Sequence, residues 1–258
     1  MKKFLSLLLA LVLVCTMFSL VSCDQSDKDR DKDKDDEKTV ETLNGKTPEE
    51  LYLAAQETLK IAPSYSVEST QVITMSYQGE SMVMNQAVFN KINGDDSYVK
   101  TSNDMDSSMS MEAWYVDGVV YAAMNGMKVK ANVDKEEFMQ QYMGKDPSES
   151  TLLDIPESWF EDIKFEKSGD AWVLNFVVSG EEYSQYFENI GLGGEISGNV
   201  KHKVYFDKNG NLEKVDTTFD MSVQGIDAHC VSTSIITIET VTITPPADAD
   251  SYQWTQLS

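Results

Sequence analysis

The sequence is poor in the residues from which active sites are most often built. Its 258 residues include only two histidines, His202 and His229, and three cysteines, and 21 lysines and arginines stand against 43 aspartates and glutamates. The shortage of cations excludes nucleic acid as a partner, because phosphate recognition needs clustered Lys and Arg to release counterions. It also argues against adsorption on an anionic lipid surface by charge alone. No Gly-x-Ser-x-Gly, His-Glu-x-x-His, Cys-x-x-Cys or phosphate-loop glycine pattern occurs. Gly191, Gly193 and Gly194 follow an expected helix instead of opening one after a strand, so they read as a helix stop. Aspartates and glutamates are scattered, and nothing selects a carboxylate pair. The sequence therefore points away from an enzyme and offers no residues for a cofactor or a metal.

The two histidines do not change this. In a simple meander of the closing strands, His202 lies opposite Thr217 and His229 lies near Gln224. These places are seven residues apart along a strand, roughly 23 Å, too far to share a metal. His202 has Val200 and Val204 on its own strand face and reads as a wall histidine whose ring is hydrogen-bonded. Cys230, in an apolar and Ser/Thr-rich strand without a basic neighbour, reads as a buried and inert thiol.

What the chain does have begins at its N-terminus. Lys2 and Lys3 precede an almost wholly apolar run over residues 4–20, which fits the positive and hydrophobic regions of an export signal. Leu20, Val21 and Ser22 then lead into Cys23. This resembles the lipobox of bacterial lipoproteins, which implies cleavage after Ser22, a lipidated Cys23 as the mature N-terminus, and anchoring at the outer face of the cell membrane. Removal of 1–22 would leave 236 residues with 19 basic and 43 acidic side chains, a net charge of −24. Residues 23–46 then form a lipidated cysteine and an acidic tether. Its stretch 27–38 has no apolar side chain with which to offset ordering entropy. Lysines interleave with the aspartates and no closing bidentate Glu is present, so it lacks a calcium-loop ligand set. As a flexible coil the tether spans roughly 25–30 Å.

Residues 47–258 read as one domain. Thr47, Pro48 and Glu50 supply a capping box with proline at the first helical position, and Leu51, Ala55 and Leu59 form an apolar stripe before Pro63. The period then changes to two. Strands are expected at 66–78, 81–92, 95–104, 108–117, 119–124 and 127–132, joined by turns at Gly79-Glu80, Asn93-Gly94, Asp117-Gly118 and Asn125-Gly126. These turns pair Tyr77 with Met82, Met75 with Met84, Val88 with Val99, Tyr115 with Val120, Met111 with Met124, and Met124 with Met127. Lys100, Glu112 and Lys128 fall on the opposite face. A helix at 134–143 carries Phe138 and Tyr142 four apart, and a looser segment carries Leu152, Leu153, Ile155 and Trp159. Strands at 161–167 and 171–178, a helix near 180–190 with Tyr183, and strands at 195–207, 212–224 and 228–243 complete the chain. Asn209-Gly210 pairs Val204 with Val215 and Val200 with Phe219. Tyr252 and Trp254 are expected to pack back on the domain. The fold class is α+β, mostly β: a long antiparallel curved sheet of about eleven strands, a half-barrel, with a leading helix and helical insertions over its concave face.

One face of the early hairpins collects Met75, Met82, Met84, Met111, Met124 and Met127. Methionine is flexible and polarizable, so such a wall suits irregular acyl chains or varied partners, and equally suits a packed core. Copper capture is weaker, since the thioethers lack histidine support. Taken with the lipobox and acidic tether, the element order over 47–244 resembles a Gram-positive surface lipoprotein and is similar to the LolA/LolB and mycobacterial LppX/LprG-like half-barrels. That resemblance implies a curved sheet holding acyl chains beneath a helical lid. Met75, Met82, Met84, Met111, Met124, Met127 and Val215 would line the cavity, and Phe138, Tyr142 and Trp159 would form the lid. Ser69, Gln71 and Gln86 depart from a wholly lipophilic wall. The reading is a non-enzymatic lipoprotein that binds a lipid or other apolar ligand. The alternative is a cell-envelope protein-interaction module with a filled core.

Overall fold

The computed structural model describes residues 41–77, 79–105, 110–143, 155–189, 195–223 and 226–255. The expected export signal 1–22, Cys23, most of the expected tether, Leu152, Leu153, Gln224 and the glycines 191, 193 and 194 lie outside the described residues. Helix α1 (Pro48–Ile61) opens the domain as its capping box requires. The Glu50 amide donates to Thr47 Oγ1 at 3.3 Å, and the Thr47 amide donates to Glu50 Oε2 at 2.8 Å. Leu51, Ala55 and Leu59 are buried, joined by Tyr52.

One mostly antiparallel sheet carries the rest. Six strands follow α1: β1 (Ser64–Tyr77), β2 (Glu80–Asn93), β3 (Asp96–Asn103), β4 (Met111–Val116), β5 (Val119–Met124) and β6 (Met127–Asn132). After helix α2 (Lys135–Met143) come β7 (Glu161–Ser168) and β8 (Ala171–Ser179), then helix α3 (Gly180–Asn189). The closing strands are β9 (Glu195–Phe206), β10 (Leu212–Val223), β11 (Ile226–Thr237) and a short β12 (Gln253–Trp254). The spatial order is β12-β6-β5-β4-β3-β2-β1-β11-β10-β9-β8-β7. The eleven expected strands are all present, and the sheet is curved and open. The twelfth, β12, pairs in parallel with β6 and had no periodicity to announce it, being two residues long.

Turn chemistry fixes the registers. Asp117-Gly118 and Asn125-Gly126 both have positive φ at their two central residues, the type I′ signature. They pair Tyr115 with Val120, Met111 with Met124 and Met124 with Met127 as expected. Two other turns are corrected by one position. Tyr77 lies opposite Glu80, so Met75 faces Met82 and Ile73 faces Met84. Asn93 lies opposite Asp96, so Asn90 faces Val99 and Val88 faces Thr101. The reason at the second turn is that Gly94, at φ +60°, takes the first central place, which a Gly-first turn of type II′ needs. Each correction shifts the partner by two residues, so every side chain keeps the face expected for it.

The closing strands pair Val204 with Val215 and His202 with Thr217. Beyond Thr218 a bulge at Gly198, φ +75°, breaks the ladder, so the regular register does not extend to Val200 and Phe219. His229 lies opposite Asp220, not near Gln224, because β10 and β11 pair from Val223 and Ile226 onward. β11 ends at Thr237, short of the expected 243, because its partner β1 starts at Ser64 just after Pro63. The chain then crosses the outer face, where Val241 and Ile243 bury against Val116, Tyr98 and Trp114. Tyr252 is buried against Trp114 and Tyr121 (centroids 6.4 and 5.7 Å), whereas Trp254 is largely exposed.

Candidate functional site on the inner face of the sheet

Alternation along the strands directs Ser69, Gln71, Ile73 and Met75 of β1 and Met84, Gln86, Val88 and Asn90 of β2 to one buried face. Two helices cover that face in two places. α1 packs Leu51, Tyr52, Ala55 and Leu59 on a cluster that includes Phe176, Val204, Val215 and Phe219. α2 packs Phe138 and Met139 on Val88, Val99, Ala113, Tyr115, Val120 and Ala122. Between the two clusters, β1–β3 present polar side chains.

These polar groups are aligned by register. His202, Thr217, Ser232, Gln71, Gln86 and Asn103 lie directly opposite one another across β9, β10, β11, β1, β2 and β3. The next row contains Val215, Ser234, Ser69, Val88 and Thr101, then Met111, Met124 and Met127. At one end the polar row is hydrogen-bonded. His202 Nε2 meets the Tyr183 hydroxyl at 2.9 Å and Nδ1 meets Thr217 Oγ1 at 3.1 Å, with Phe176 stacked on the ring at 4.9 Å. Burial holds the His202 pKa down to about 3, so the ring is neutral. Ser69 and Ser234 share a hydrogen bond at 2.7 Å. Towards β2 and β3, Gln86 Oε1, Asn90 Oδ1, Ser97 Oγ and Asn103 Nδ2 are buried with no hydrogen-bond partner among the described residues.

The expected cavity residues separate. Met75, Met84 and Val215 are buried in the α1 cluster, with Met82 packed against it. Met111 packs on the α2 cluster, and Met124 and Met127 are exposed. Met111, Met124 and Met127 line an open groove of about 540 Å³ together with Lys100, Glu112, Ala123 and Lys128, which form the matching row on the outer face. The three expected lid residues also divide. Phe138 and Tyr142 stack at 5.2 Å over the α2 cluster, while Trp159 meets Tyr183 at 6.3 Å over the α1 cluster.

Asn90, Ser97 and Asn103 were missed by the sequence reading. The signal was available, since Asn90 shares the parity of Gln86 and Val88 along one strand.

Cys230 is buried. His229 pairs with Asp220 at 2.7 Å in an exposed position on the outer face. Thr217 and Asp220 are three residues apart and point to opposite faces, so the two histidines remain separated. Asp216, a carboxylate with three side-chain partners, is also on the outer face. Partial burial opposes its charge, but hydrogen bonds from Lys214, Thr233 and Tyr205 outweigh that and lower its pKa. No group of three or more metal-ligating side chains occurs among the described residues, and none of their helices is long and apolar enough to cross a membrane.

Residues 47–224 match the profile of a family of unknown function (DUF6612). No curated protein matches the chain. Among solved structures, LprF from Mycobacterium bovis is 13% identical, with 76% of this chain and 95% of that one covered and a TM-score of 0.39. The lipoprotein LppX from Mycobacterium tuberculosis is 7% identical, covering 77% of this chain and 100% of that one at a TM-score of 0.37. A LolA-superfamily protein from Nitrosomonas europaea is 10% identical, covering 75% and 94% at 0.28. The LolA-like and LppX-like resemblance expected from the element order is present among these structures.

Proposed function

We propose, for a chain that belongs to DUF6612, a family of unknown function, that it is a non-enzymatic extracytoplasmic lipoprotein binding a lipid or other apolar ligand on the inner face of its sheet. A lipidated Cys23 holds it to the membrane, and the tether lets the domain stand clear of the surface. The observation that carries the reading is the row Met111, Met124 and Met127. Three flexible apolar side chains stand opposite one another on adjacent strands and, with Lys100, Glu112, Ala123 and Lys128 of the outer row, line a groove of ligand size at this end of the strands, about 540 Å³. Met124 and Met127 of this row are exposed, and thioether side chains adapt to an irregular acyl chain. Phe138 and Tyr142 border the same cluster and act as the lid over it, whereas Met75, Met84 and Val215 belong to the core packed by α1. The neutral, doubly hydrogen-bonded His202 has a structural role in this reading.

One observation favours an envelope protein-interaction module instead. α1 fills its own half of the inner face, while Val72, Val83, Val231 and Ile235 are exposed on the outer one.

A fluorescent fatty acid separates the two. Met124→Glu and Met127→Glu change exposed positions, so the fold should keep its stability to within about 0.5 kcal/mol. A carboxylate against an acyl chain should nevertheless weaken probe binding roughly tenfold or more. Cys23→Ser should move the chain from the membrane fraction to the soluble fraction. Probe affinity unchanged in both glutamate variants contradicts the ligand reading and favours the interaction module.

A further inference from the structure

The unpartnered polar atoms on the inner face specify more about the occupant than the methionines do. Gln86, Asn90 and Ser97 are at most 5% exposed, yet Gln86 Oε1, Asn90 Oδ1 and Ser97 Oγ have no hydrogen-bond partner among the described residues, nor does Asn103 Nδ2. Leaving a buried donor or acceptor unsatisfied is costly, and folded proteins rarely do so without a further group to supply the bond. All four atoms belong to β2 and β3, in the seam between the cluster under α1 and the cluster under α2.

Their placement relative to the methionine row is specific. Met127, Met124, Met111, Thr101 and Val88 lie directly opposite one another across β6, β5, β4, β3 and β2. Four strand spacings make this row roughly 19 Å long, with its Val88 end packed beneath Phe138 and Met139 of α2 and its methionine end open. Gln86 and Asn90 flank its end at Val88, each roughly 7 Å away along the same strand. Asn103 stands opposite Gln86. Inner-face positions from Met82 to Ile92 and from Ser97 to Asn103 carry no charged side chain, because Lys91 and Lys100 fall on the outer parity. A carboxylate or phosphate there would be desolvated with no cation to meet it. A hydroxyl both donates and accepts, so it answers the carbonyl oxygens of Gln86 and Asn90 and the amide nitrogen of Asn103 alike.

We infer that the ligand is a neutral, hydroxyl-bearing amphiphile whose head is held between Gln86 and Asn90 and whose acyl tail runs out along Met111, Met124 and Met127. This rests on the apolar-ligand reading above and names the ligand class of that same site.

The test uses the purified full-length chain and displacement of a fluorescent fatty acid by three unlabelled lipids: 1-monopalmitoylglycerol, methyl palmitate and palmitate. Monopalmitoylglycerol should displace the probe at a concentration roughly tenfold or more below that of the methyl ester, which has the same tail and no donor, and also below palmitate. In the double variant Gln86→Leu/Asn90→Leu the two neutral lipids should fall within about twofold of each other. Should the double variant not fold, Gln86→Met and Asn90→Leu alone should each cut the preference roughly threefold or more. Equal displacement by both neutral lipids in the unaltered chain, the result expected if ordered water fills these places, overturns the inference alone. So does a preference that survives the variants. Failure of the fatty acid and all three lipids to bind overturns the apolar-ligand reading, and this inference with it.

Discussion

Lowering the pH from about 6.5 to about 4 is expected to remove roughly 3 kcal/mol of stability through His202 alone. The ring is buried against Phe176 and Tyr183, and its pKa is held down to about 3 in the fold. In the unfolded chain it titrates near 6.5. Between those values the unfolded state binds a proton that the folded state refuses. The contribution is therefore complete above about pH 6.5 and is lost at about 1.4 kcal/mol per pH unit as the pH falls towards 3. Urea unfolding from pH 7 to 4, compared with His202→Gln, isolates it. Glutamine keeps a polar group near Tyr183 and Thr217 without titrating, so the difference between the two proteins should shrink as the pH falls. Parallel pH curves would show that the histidine does not titrate in this manner.

Phe176→Ala is expected to destabilise the fold by about 3–5 kcal/mol. Phe176 is nearly inaccessible and sits among three rings, stacked on Phe160 at 3.9 Å, edge-on to Tyr52 at 5.7 Å and over His202 at 4.9 Å. Its removal leaves a void that these neighbours, Tyr52 on α1, His202 on β9 and Phe160 just before β7, can only partly close. The same change should admit water beside His202 and bring its pKa back towards the ordinary value. The acid sensitivity described above should thus weaken in the variant even as its overall stability drops. Phe176→Leu, with a smaller void, should show less of both effects. A loss below about 1 kcal/mol for the alanine variant would mean that this cluster is not close-packed.

Both expectations depend on side-chain faces, and those were legible in the sequence. Strict alternation placed Met84, Gln86 and Val88 of β2 together, and positive-φ turn sequences such as Asn125-Gly126 fixed adjacent strands. Where the register slipped, at the turns near Gly79 and Gly94, it slipped by two residues and left the faces intact. The division of the methionines was not legible. Met84 and Met124 have the same parity and composition around them, and only the position of α1 and α2 over the sheet makes one core and the other groove. β12 was invisible for a different reason: two residues have no period, and their pairing depends on the tail crossing the outer face. His229 was misplaced because the length of one hairpin turn decides its partner. The polar row was half visible, since Ser69, Gln71 and Gln86 stood out against an apolar wall. That Gln71 and Gln86 align with His202 and Thr217 across six strands, with Ser69 one row away, required the registers of all of them.

The most direct test of ligand binding at the methionine groove is native mass spectrometry of the full chain recovered from membranes of expressing cells, followed by organic extraction and lipid analysis. The expected result is a stoichiometric acyl-bearing species in the unaltered protein that is missing when Met111→Glu or Met124→Glu is introduced. A clean ligand-free mass, unchanged after incubation with envelope lipids, would contradict it and leave the sheet as a scaffold for a protein partner.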